Sequence, residues 1–116
     1  MANAFTNAGV AIGATATTIY QTPIGVNSSV VHSIYIANID GTNNATVNIE
    51  VSTDGAGSAN FFHVAKKVQV PADSTLILDK PINLYNANNA SAGDLMRATA
   101  DAASRLECFI SILEIS

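Results

Sequence analysis

With 116 residues, 48% of them hydrophobic and only 12% charged, the chain has the size of one domain and about half the usual share of charge. Five Lys plus Arg against nine Asp plus Glu, a net charge of −4, exclude the clustered cations that a phosphate backbone requires. The mean hydropathy of +0.28 arises from dispersed small residues, and no run of about 18 apolar residues is present to form a membrane helix.

Residues 1–16 are rich in Ala, Asn, Gly and Thr and offer little for a core. They read as an extended arm, mobile or ordered against a neighbouring chain, ahead of a single domain over 17–116. The first 18 residues lack the basic start and compact apolar centre of a signal peptide, so synthesis and assembly inside a cell are expected. Patterning begins at Thr17–Thr22 and stops at Pro23 and Gly25. Residues 28–39 form the longest strand candidate, with Val30, His32, Ile34 and Ile36 expected on one face and Val31, Tyr35 and Ile39 on the other. Asp40-Gly41-Thr42-Asn43-Asn44 is turn chemistry. The following strand alternates Val47, Ile49, Val51 against Asn48, Glu50, Ser52, the mark of a half-buried antiparallel strand. These two strands are expected to form a hairpin.

After the loop at 54–58, a strand over 59–70 brings Phe62 and Val64 as apolar bulk and ends at Pro71. Ser74–Asp79 makes a short strand. Pro81 interrupts the run, and Ile82–Tyr85 resumes it on what is expected to be a different part of the fold. Residues 94–106 fit a helix by Ala, Leu, Met and Arg content or a strand over 95–100. The strand is favoured because the long run Leu106–Ile115 requires an antiparallel neighbour. That last run is apolar at both parities, so both of its faces should be covered. About eight strands with turns every 8–12 residues predict an all-β antiparallel sandwich of jelly-roll type.

Little in the chain suggests catalysis. His32, His63 and the single Cys108 lie within alternating strands without a local nucleophile signature. Cys108 reads as a small buried hydrophobe. Asp40, Asp54, Asp73, Asp94 and Asp101 read as turn carboxylates accepting nearby backbone N–H groups. The loop at Asp40 lacks EF-hand spacing, and neither GxGxxG nor GK[ST] is present. The sequons at Asn27, Asn44 and Asn89 are attributed to chance in a chain so rich in Asn, Ser and Thr. No cofactor, metal or catalytic residue is assigned, and the chain is expected not to be an enzyme.

Taken together, Thr17–Pro23, Val31–Asn38 with Asp40-Gly41, VPADSTLILDKPINL at 70–84, Gly93-Asp94-Leu95 and Ser111–Ile115 resemble small virion proteins of tailed bacteriophages, including cyanophages. The resemblance covers the chain from residue 17 onward and carries no site motif. It implies a β-sandwich of head-decoration (cement) type, located in the virion and assembled in the host cytoplasm. The major capsid protein and other copies of the chain would be its partners, in a homo-oligomer or a lattice. A tail, neck or baseplate component is the alternative, followed by a carbohydrate-binding module. The candidate interface residues are Phe109, Leu113 and Ile115 on the last strand and Phe5, Val10 and Ile12 in the arm.

Overall fold

A computed structural model describes residues 3–116, which contain nine strands and no helix. The strands are β1 (Asn3–Ile12), β2 (Thr17–Gln21), β3 (Ser28–Asn38), β4 (Ala45–Ser52), β5 (Phe61–Val70), β6 (Thr75–Leu78), β7 (Ile82–Tyr85), β8 (Leu95–Ala100) and β9 (Leu106–Ile115). Sheet A has the order β1-β9-β3-β6, with β7 also paired to β3; sheet B has the order β2-β8-β4-β5. All pairings are antiparallel. The expected all-β sandwich is therefore the fold, and the strand beyond the expected eight is β1.

The inward parity of each long strand builds the core. Val31, Ile34, Ile36, Cys108, Ile110 and Ile112 of sheet A meet Val47, Ile49, Met96 and Ala98 of sheet B, all essentially inaccessible. Burying an Ile or Leu side chain fully contributes roughly 1.5–3 kcal/mol, so β3, β4 and β9 supply most of the drive to close the sandwich.

Several pairings differ from the sequence expectation. Met1 and Ala2 of the expected arm lie outside the described residues, but Asn3–Ile12 is a strand of its own sheet. It pairs with β9 over its whole length, from Asn3 opposite Ile115 to Ile12 opposite Leu106. Ile12 is 1% exposed, so this segment contributes to the core; the backbone of β9 supplies the order that its side chains do not. β3 and β4 are not a hairpin, because β4 pairs with β5 and β8 in the other sheet. The buried Asn38 makes that crossing, its Nδ2 donating to the carbonyls of Asn43 and Val70 at 2.9 Å each. Residues 95–100 are the favoured strand, but β8 lies between β2 and β4, and β9 takes β1 and β3 as neighbours.

Two further corrections concern irregular strands. A bulge between Val31 and Ser33 inverts the parity of β3, so that Val31 points inward with Ile34 and Ile36 while Val30 points outward. β6 and β7 do not diverge to separate regions: both pair with β3, at Ile34–Ala37 and at Ser28–Val31 respectively. Asp79, Lys80 and Pro81 are a break within one edge, set opposite the β3 bulge. On β5 the apolar bulk expected from Phe62 and Val64 is exposed, because β5 is an edge strand with two register shifts.

Candidate functional site

The sandwich has two outward faces of opposite character. That of sheet B is polar: Arg97 Nε donates to Glu50 Oε1 at 3.1 Å and its guanidinium lies 3.6 Å over the Phe61 ring. His63 Nε2 stands 3.7 Å from the other oxygen of Glu50. Such pairing solvates a face and lends it modest stability.

The outward face of sheet A is apolar. Strand register aligns Gly9, Phe109, Tyr35 and Ile77 across β1, β9, β3 and β6, with the Tyr35 and Phe109 rings 6.4 Å apart. A second row carries Phe5, Leu113 and Val30, and Phe5 stacks on the bulge residue His32 at 5.9 Å. Phe5, Tyr35, Ile77 and Phe109 are 79%, 40%, 55% and 44% exposed. Between the rows and the strand end, the small residues Gly9, Ala11 and Ala37 leave a depression of about 410 Å³ beside Tyr35, Glu107 and Phe109. The polar row Asn7, Ser111 and Ser33 separates the two apolar rows, and the large exposed apolar side chains on either side of it make this the candidate contact surface.

Of the sequence candidates, Phe5, Phe109, Leu113 and Ile115 share this face. Val10 and Ile12 do not: both turn inward, Val10 against the core and Ile12 within it. Tyr35, Ile77 and Val30 belong to the face and were not among the candidates. For Val30 and Tyr35 the signal was an apolar residue at both parities of β3, obscured because the bulge interchanges the parities midway; Ile77 lies on β6.

The structure does not bring Cys108 together with either histidine. Cys108 points into the core, its thiol pushed up to about 12 by burial, whereas His32 lies outward on sheet A and His63 outward on sheet B. Among the described residues no three His, Cys, Asp or Glu side chains gather as a metal site. Asp40 and Asp54 are turn carboxylates as expected. Asp40 accepts from the backbone of Thr42 and Asn43. Asp54 is held down at about 2 by the N–H of Ala56, the Ser58 hydroxyl and the N–H groups of Gly57 and Ser58. Asp101 instead reaches the N–H of Thr46, 55 residues away.

Asp94 also departs from the local-turn expectation. Only 3% exposed, it accepts from Ser52 Oγ and Gly55 N through Oδ1 at 3.1 and 2.7 Å, and from Tyr85 N through Oδ2 at 3.2 Å. It thereby ties the end of β4 and the β4–β5 loop in sheet B to β7 in sheet A. Gly55 is required there: its φ is +72°, and a Cβ would meet Ala87 at 2.6 Å and the Tyr85 ring at 2.7 Å. At the same end of the sandwich Tyr20 of β2 also spans the sheets, donating to Glu114 Oε2 at 2.6 Å with Ser29 Oγ at 2.8 Å. Burial, with the Glu114 hydrogen bond second, raises its hydroxyl pKa. These ties hold sheet A in place from behind and leave its outward face free.

No protein-family model and no curated protein matches the chain. Solved structures do. A chain of infectious bursal disease virus, Gx strain, matches 99% of this chain and 33% of its own length, with a TM-score of 0.57 and 8% identity. A chain of the VP2 subviral particle of the same virus matches over 97% and 32%, with a TM-score of 0.54 and 6% identity. A Bacillus endospore appendage subunit, from a family described as disulfide-linked pili, matches over 99% and 88%, with a TM-score of 0.52 and 18% identity. The chain thus spans about a third of the viral chains and most of the appendage subunit. At these identities the likeness is one of fold.

Proposed function

We propose that the chain is a non-enzymatic structural subunit of a virion, and specifically a head-decoration protein whose sheet A face docks on the exterior of a capsid. The observation that carries this reading is the contrast between the two outward faces: sheet B is laced with polar pairs, whereas sheet A presents Phe5, Tyr35, Ile77 and Phe109 to solvent. A capsid repeats the same docking site many times, so contacts of modest individual affinity hold a shell together. The fold shared with chains of infectious bursal disease virus supports a virion setting, and the major capsid protein is the partner expected to meet the face.

Quantitative mass spectrometry of purified particles tests the reading. A copy number close to that of the major capsid protein supports decoration, and absence from particles overturns the virion role. A second reading, a tail, neck or baseplate component, is supported by the match over most of an appendage protein and predicts few copies, retained on isolated tails. Phe109→Glu combined with Leu113→Asp should abolish docking on particles stripped of this protein. As surface changes they should alter the stability of the isolated subunit by only about 1 kcal/mol. Comparable unfolding of the lone subunit would show the face to be ordinary core.

A further inference from the structure

The sandwich has four strand edges, and three are blunted. β2 is five residues long with a register shift at Thr18/Tyr20. β5 is shifted twice and carries Lys66 and Lys67, the latter at φ 51° with its N–H taken by Asn48. The β6–β7 edge is broken by Asp79, Lys80 and Pro81. Charge, proline, bulges and brevity are the usual means of preventing strand addition. β1 has none of them: it is ten residues long, without charge or proline, in unbroken register with β9.

The direction of its free backbone groups follows from the ladder. Ile39 N donates to Arg105 O at 2.8 Å, continuing the β3–β9 register. Odd residues of β9 therefore bond toward β3 and even ones toward β1. By register the even residues of β1 are spent on β9, leaving the N–H and C=O of Asn3, Phe5, Asn7, Gly9 and Ala11 directed to the open edge.

We propose that this edge is a self-association site, where β1 pairs antiparallel with β1 of a second copy about a two-fold axis at Asn7. With the other edges blunted, the strand best able to match β1 is β1 itself, and an isologous pair closes as a dimer. Pairing odd residues with odd residues sets Asn7 opposite its own copy, Asn3 opposite Ala11 and Phe5 opposite Gly9. Each Phe5, which in the lone subunit touches His32, then faces a position where no side chain competes for the space beside Phe109. The two sheets A become one continuous sheet, and their apolar faces adjoin. This goes beyond the decoration reading and does not require it, since it uses the edge of the sheet rather than its face.

Charge reversal at the axis tests the pairing. Asn7 is exposed and faces Ser111 in its own sheet, so a charge there is harmless to one subunit but meets itself across the two-fold. By sedimentation the wild type should dimerise at micromolar concentration. Asn7→Lys and Asn7→Asp should each associate about tenfold more weakly or less, and an equimolar mixture of the two should recover dimers. Oxidised Asn7→Cys should form a covalent dimer, whereas Asn83→Cys on the β7 edge should not, and this reads the register even if the Lys variant folds poorly. A wild type that stays monomeric overturns the proposal. So does association that is indifferent to Asn7→Lys with no Asn7→Cys cross-link, which would leave self-assembly to another surface.

Discussion

Replacing Asp94 by Ala removes three hydrogen bonds from a carboxylate that is 3% exposed. The Ser52 hydroxyl and the Gly55 N–H lose a buried acceptor, and each such loss costs about 1–3 kcal/mol; the Tyr85 N–H, nearer to solvent, costs less. The sum is about 4 kcal/mol, from which relief of the carboxylate's own desolvation subtracts a part. The expected net loss is about 3 kcal/mol, or roughly 10–15 °C in Tm for a chain of this size. Asp94→Asn keeps one acceptor oxygen but turns an amide donor toward these donors, and should lose about half as much. Urea unfolding gives both values: the midpoint should fall at constant slope, showing that stability and not the unfolded state has changed. An Ala variant within about 1 kcal/mol of wild type, or an Asn variant as unstable as Ala, would refute the assignment of Asp94 as the joint between the sheets.

Thr22 is fully buried and its Oγ1 has no hydrogen-bond partner among the described residues, while its backbone bonds Asp94 and Gly93. Thr22→Val should therefore be neutral or stabilising by about 1 kcal/mol; a loss of that size in thermal unfolding would reveal a partner for the hydroxyl. Asp54, held at about 2 against an ordinary 3.8, should contribute stability that is complete above about pH 4–5 and is lost as pH falls through 2. The stability difference between wild type and Asp54→Asn should be constant near neutrality and shrink between pH 4 and 2. A gap independent of pH would refute the linkage.

The fold class and most strands were legible because alternation has a period of two and names the apolar face directly: Val47, Ile49 and Val51 could be assigned inward without any partner. The turn carboxylates Asp40 and Asp54 were legible too, since each closes a loop within four residues. The doubly apolar pattern of β9 pointed to an apolar face turned away from the core, and Phe109, Leu113 and Ile115 lie on the outward face of sheet A. Val10 and Ile12 failed as face residues because a segment poor in core residues still orders when β9 offers a free ladder.

Alternation alone determined which residues face inward along each regular strand, and turn chemistry where those strands end. Only the tertiary structure decided which strand lies beside which, because every strand presents the same backbone donors and acceptors and its side chains do not name a partner. The crossing of β4 to sheet B, the place of β8 between β2 and β4, and the long reach of Asp94 depend on covering both halves of one core at once. The bulge at His32 is of the same kind: shifting one residue out of register moves Val31 into that core and turns Val30 and Tyr35 outward, onto the face where Phe5 and Phe109 already stand.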